Sequence, residues 1–201
     1  DRPLYYMYRG CSQNALDHAL IAAVGLRFDI TVIPAGNLGR EFIKTKGHFH
    51  VPFPDGNSYP ELYGVMQGEA WFLLQDRHLR DAVVIKAKQC DLVLIPPGYG
   101  HVTINPGSSD LEMANFISVH CLSEYALYEM FRGAVYYACT DGTFRKNPLW
   151  RQEVTLREVT PRQYPSFGIT SGTDIYSFTR KTEALRFLNH PEYYPECMVP
   201  P

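Results

Sequence analysis

The sequence predicts an all-β barrel with short peripheral helices and an extended C-terminal tail. Two observations carry that reading. Between residue 26 and residue 140 the apolar residues fall in short runs, each bounded by Gly, Pro, Asn or Asp, a spacing that suits a barrel or sandwich. Within those runs, polar residues with metal-ligand chemistry sit where a strand alternation turns them to one face. In Thr45-Lys46-Gly47-His48-Phe49-His50, the two histidines project to the same side and Phe49 away from it. Glu61 follows a Pro/Gly/Asn/Asp-rich turn and His101 follows Pro96-Pro97-Gly98, giving three imidazoles and one carboxylate. That set suits Fe, Mn, Ni, Co or Zn and leaves positions open on a metal that takes six ligands.

Taken in order, Leu4–Tyr8 is aromatic and extended in character, before a break at Arg9-Gly10. Residues 12–24 carry apolar positions at helical spacing, with Ser12 as N-cap and Gly25 as stop; Ile21 and Val24 equally suit a strand. Arg27–Ile33 alternates and ends in Pro34-Ala35-Gly36. The central strands are Glu41–His50, Tyr63–Met66, Glu69–Gln75, Asp81–Lys86, Leu92–Ile95, Val102–Asn105 and Met113–His120, followed by Ala134–Cys139 entering the Asp141-Gly142 turn. Trp71 and Phe72 are expected to divide between surface and core. Past Trp150, Val154–Val159 reads as an edge strand and Thr182–Leu188 as a short helical segment. One domain is expected over 1–201, with its barrel core at about 26–140 and an extension at about 151–201 that wraps the barrel or a partner subunit.

Composition narrows the function classes. A net charge of -2 offers nucleic acid or anionic lipid no overall attraction, so neither is an expected partner. The five cysteines are odd in number and show no CxxC spacing, which argues against a disulfide framework and for a reducing, cytosolic setting. No apolar run approaches the roughly 18 residues of a membrane span. His18, His78, His120 and His190 have no partners at ligand spacing.

The set His48-x-His50, Glu61 and Pro-Pro-Gly-x-x-His101-x-x-x-Asn105 resembles the two motifs of the cupin superfamily, which implies a small antiparallel barrel with one divalent transition metal in its mouth. More narrowly, Gly39-Arg40-Glu41-Phe42, Thr45 to His50, Glu61-x-Tyr63 and Ile95-Pro96-Pro97 resemble the cupin-type glucose-6-phosphate isomerases known mainly from archaea, over residues 4–150 or so. The resemblance implies an aldose–ketose isomerase acting on glucose 6-phosphate and fructose 6-phosphate through an enediolate, and a homodimer. It places the phosphate at Tyr5, Thr31, Thr45, Lys46 and Gly47 and further substrate contacts at His120 and at Tyr125 or Tyr128; Glu61 is the candidate proton carrier, because a loosely ligating carboxylate can release one oxygen to the substrate, with Tyr63 two residues on along the same strand to orient or share the proton. Two departures stand out. The interval from His50 to Glu61 is longer than in those relatives, and Ser123-Glu124-Tyr125 stands where they carry His-Asp-Tyr. Other cupin chemistry on the same metal, a dioxygenase or decarboxylase, needs no phosphate cradle; a non-catalytic sugar-binding cupin would need no metal.

Overall fold

The computed structural model describes residues 3–199. Its strands are β1 (Tyr6–Tyr8), β2 (Leu26–Ile33), β3 (Asn37–Leu38), β4 (Glu41–Phe42), β5 (Phe49–His50), β6 (Glu61–Gln67), β7 (Glu69–Asp76), β8 (Ala82–Lys88), β9 (Leu92–Ile95), β10 (Tyr99–Ile104), β11 (Leu111–Ser118), β12 (Ser123–Glu124), β13 (Tyr136–Ala138), β14 (Phe144–Lys146) and β15 (Leu156–Val159). Two helices, α1 (Ala15–Ala23) and α2 (Ala126–Met130), and a series of C-terminal 3-10 turns complete it.

A five-stranded sheet in the order β1-β2-β11-β6-β9 faces a four-stranded sheet in the order β10-β7-β8-β15. Val65, Val93, Met113 and Tyr63 from the first sheet meet Phe72, Leu74, Val83 and Ile85 from the second, and these form the interior layer. Both outer faces are covered too. Phe28, Leu62, Leu94 and Phe116 lie beneath Ile21 of α1 and beneath Phe167, Ile175, Phe178, Leu185 and Phe187 of the C-terminal segment. Leu73, Val84, Val102 and Trp71 lie beneath Phe49, Tyr128, Ala134 and Ala138. Strands covered on both faces read as unbroken apolar runs, which explains Leu92–Ile95 and most of β7. The expected tail therefore packs on the outside of the barrel, with Leu185, Phe187 and Leu188 fully buried.

Four expectations change in detail. The helix is capped by Asn14, whose Oδ1 accepts from the Asp17 backbone N–H at 3.0 Å, rather than by Ser12, and it ends at Gly25 with φ 67°. Residues 41–50 are not one strand. Only β4 and β5 have strand geometry; Lys44 and His48 touch β10 through isolated bridges to Ile104 and His101, and no continuous ladder closes the two sheets among the described residues. Trp71 and Phe72, expected to divide between core and surface, are both buried, because Phe42 and Phe144 cover Trp71 on the outer face. The edge strand at the C-terminal end is β15, and it runs parallel to β8.

Candidate metal centre

The cluster is assembled by register. β6 lies between β11 and β9, which puts Glu61 opposite Ile117 on one side and Ile95 on the other. The His48–His101 bridge, closed by reciprocal backbone hydrogen bonds of 3.2 and 3.0 Å, brings the HxH segment against β10. The ligand-capable atoms of His48, His50, Glu61 and His101 then lie within 4.8 Å of one another. The longer interval after His50 is absorbed by a surface loop, and Glu61 still reaches the cluster.

These groups fit a divalent metal. His50 Nδ1 lies 2.7 Å from the carbonyl oxygen of Tyr59, and a carbonyl can only accept, so Nδ1 carries a proton and Nε2 is the nitrogen turned to the cluster. Glu61 Oε2 approaches His50 Nε2 at 3.2 Å and His101 Nε2 at 3.5 Å, yet both Glu61 Oε2 and His50 Nε2 are buried with no hydrogen-bond partner. Buried polar atoms left in that state are costly unless something charged sits between them. Burial and the neighbouring His50 lower His48 to about 4, and burial with the charges of His48 and His50 holds His101 well below the ordinary histidine range. Both are therefore neutral donors at pH 7. Burial opposes a charge on His50 as well, but the neighbouring Cys121 and Glu61 outweigh it and raise the ring to about 10. A cation entering the cluster displaces that proton.

Beside His48, Glu61 and His101 runs a narrow cavity lined by Tyr5, Thr31, Thr45, Lys46, Tyr63 and Tyr125, and also by Arg9, Arg27, Asp29, Met113 and Asn115. The Tyr63 hydroxyl lies 3.2 Å from His101 Nε2. Burial, then the Glu61 charge, raises Tyr63 well above the usual phenol value, so it remains a protonated donor. Thr31 is buried and lines the cavity. Thr45 Oγ1 already accepts from the Thr103 N–H at 3.0 Å, although its own proton stays available. The Lys46 ammonium pairs with Glu129 and lies 4.8 Å from the Tyr125 ring centre, while the Tyr5 hydroxyl accepts from the Lys46 N–H at 3.4 Å.

The open choice between two tyrosines resolves. Tyr125 lines the cavity with its ring 5.5 Å from His48, whereas Tyr128 is buried on the far side against Phe49. His120 is exposed in the turn after β11 and does not line the cavity, because β11 ends at Ser118 and the chain turns outward. Gly47 is not a cavity-lining residue either; it packs on Tyr128 and Val102. Arg9, Arg27, Asp29 and Asn115 were missed. Asp29 and Asn115 are polar residues at inward positions of apolar strands, and that alternation is the signal that marks them. A larger cleft of about 560 Å³, between Lys86–Leu92 and residues 160–171, gathers solvent-facing groups and no comparable buried cluster.

Two facing sheets with a three-histidine, one-carboxylate cluster inside one end define a cupin-type β-barrel protein with a candidate metal centre. The family model described as glucose-6-phosphate isomerase matches residues 1–153, and the chain belongs to that family. It is 37% identical over 82 residues to the glucose-6-phosphate isomerase of Pyrococcus furiosus, covering 41% of each chain. It is 35% identical over 82 residues to that of Thermococcus litoralis, covering 41% of this chain and 40% of the relative. The matched region thus spans well under half the length of these relatives. Among solved structures, recombinant oxalate oxidase in complex with glycolate aligns with a TM-score of 0.45 at 14% identity, over 64% of this chain and 58% of that one.

Proposed function

We propose that the protein is a metal-dependent isomerase that interconverts glucose 6-phosphate and fructose 6-phosphate, with one divalent transition metal per chain held by His48, His50, Glu61 and His101. The observation that carries this reading is the juxtaposition, in one cavity, of that cluster with the hydroxyls of Thr31, Thr45 and Tyr5. Family membership supplies the substrate class.

A bound divalent metal would act as a Lewis acid, favouring negative charge on the substrate oxygens at C1 and C2. The remaining work falls to the chain. Glu61 accepts the proton from C2 of glucose 6-phosphate; the electron pair left behind forms the C1–C2 double bond, and the former carbonyl oxygen at C1 takes up the charge. Return of that proton to C1, with the C2 oxygen becoming the carbonyl, gives fructose 6-phosphate. The proton on the C2 oxygen must reach the C1 oxygen, and the Tyr63 hydroxyl beside His101 relays it, giving its own proton to the C1 oxygen as it takes up the one from the C2 oxygen. Thr31, Thr45 and Tyr5 bind the phosphate, the Tyr5 hydroxyl being held by the Lys46 N–H, and Tyr125 closes the cavity over His48. General acid–base help of this kind contributes about 10²–10⁴ in rate.

The exposed side chains of Tyr6, Met7 and Tyr8 lie on β1, an edge of the five-stranded sheet, and support a homodimer formed across that edge. The test of function is a coupled assay with fructose 6-phosphate, before and after chelation. The account expects turnover that chelator abolishes and added Mn²⁺, Fe²⁺, Ni²⁺, Co²⁺ or Zn²⁺ restores; absence of turnover under every metal sinks it.

A further inference from the structure

We infer that Asn115 is the positioning residue that divides the labour between the two oxygens of Glu61. Three adjacent strands carry one polar rung across the cavity floor: Asp29 on β2 faces Asn115 on β11, which faces Tyr63 on β6. Asn115 is 3% exposed, and its Nδ2 donates to Glu61 Oε1 at 2.7 Å. An ionised carboxylate offers only acceptors, so the amide must turn its nitrogen toward Glu61, and the orientation of both side chains is fixed together. Glu61 Oε1 is thereby occupied. Oε2 is left aimed at His50 and His101, buried and without a hydrogen-bond partner.

The inference rests on the metal-dependent reading and deepens it. A carboxylate free to rotate about its last bond would present either oxygen to the cluster, and a bidentate arrangement would leave no oxygen to exchange with substrate. Held at Oε1 by a neutral donor, Glu61 has one working oxygen. The rung also keeps charges apart, since Asp29 is turned to Arg27, whose Nε donates to both of its oxygens at 2.8 and 2.9 Å. An amide therefore separates the two carboxylates. Hydrogen-bond partners of ligand side chains typically govern metal affinity by 10–100-fold.

The test compares the full chain with Asn115→Leu, which has similar volume and no donor, and Asn115→Ala, which avoids overpacking should the leucine fail to fold. Co²⁺ affinity, the visible spectrum of the Co²⁺ form, and kcat and KM for fructose 6-phosphate are measured on folded protein. The expected result is Co²⁺ binding weakened about 10–100-fold, a shifted ligand-field spectrum, and kcat lowered about 10-fold or more with KM changed less than threefold. A purely structural asparagine would lower the melting temperature and move neither the spectrum nor kcat. Unchanged Co²⁺ affinity, spectrum and kcat in a folded variant overturn the inference. If the parent chain binds Co²⁺ but turns over no sugar phosphate, the substrate reading fails alone, and weaker binding with a shifted spectrum in the variants still supports the positioning role.

Discussion

A Cβ placed on Gly47 would lie 2.2 Å from the ring of Tyr128 and 2.5 Å from Val102, so the segment that delivers His48 and His50 can pass only as glycine at this point. The requirement is one of space. Tyr128 in turn packs on Phe49, and a Cβ at Gly100 would lie 2.7 Å from that same Phe49 ring, so both bridged segments are pressed together around it. Gly47→Ala is expected to destabilise the fold by about 1–3 kcal/mol through overpacking. Thermal melting and metal analysis check it, and a normal melting temperature with full metal content would contradict the packing argument.

The two threonines of the cavity separate binding from stability. Thr31→Val removes a hydroxyl that lines the cavity and keeps the side chain's shape, so KM for fructose 6-phosphate should rise about 10-fold, the loss of a charge-assisted hydrogen bond of roughly 1.5 kcal/mol, with the melting temperature little changed. Thr45→Val also removes the acceptor of the Thr103 N–H and should raise KM and lower the melting temperature together. Unaltered KM in Thr31→Val would move the phosphate elsewhere.

How much of this was legible in sequence can be judged residue by residue. The alternation of His48 and His50, the turn before Glu61 and the Pro-Pro-Gly before His101 were enough to point to the cluster, because strand geometry decides those directions locally. Leu92–Ile95 was read with its observed limits. What escaped depends on distant chain. Trp71 is covered because Phe42 and the β13–β14 hairpin fold over it, and the break in residues 41–50 comes from how Lys44 and His48 meet β10. Asn14 displaced Ser12 as the cap because it gains Asp17 twice, as backbone donor and as side-chain acceptor. Tyr125 and Tyr128 could not be told apart, since the chain enters α2 between them and turns one inward to the cavity and the other beneath the strand.

Glu61 as the proton carrier predicts exchange with solvent. Product formed from glucose 6-phosphate in D₂O should carry deuterium at C1 of fructose 6-phosphate, and Glu61→Gln should lose about 10²-fold or more in kcat while retaining a neutral oxygen toward the cluster. A hydride shift from C2 to C1 would keep the original hydrogen. Mass spectrometry that finds no deuterium, with a near-normal rate in Glu61→Gln, would remove the base from the scheme.

Acid should act on the C-terminal strand. Burial raises the Asp81 carboxyl, but the Arg157 guanidinium, at 2.9 and 2.7 Å, and the Tyr99 hydroxyl, at 2.8 Å, outweigh it and hold Asp81 below the ordinary aspartate value of 3.8. A carboxyl depressed in the folded state contributes stability above its unfolded value and loses it as pH falls through the folded one. Asp81→Asn should therefore be less stable than the parent at pH 7, with the difference shrinking below about pH 4 and vanishing at lower pH. Urea melts at pH 7 and pH 3 check this; a difference that persists undiminished at low pH would place the effect in packing.

The account stands most directly on metal content. Protein reconstituted with Mn²⁺ or Co²⁺ and freed of excess should retain one equivalent per chain, and the double variant His48→Ala/His50→Ala should retain none, because half of the ligand set has gone. Elemental analysis of the two side by side, with fructose 6-phosphate turnover measured on the same samples, decides it: metal and turnover lost together is the result expected, and full metal with full turnover in the double variant would contradict the site.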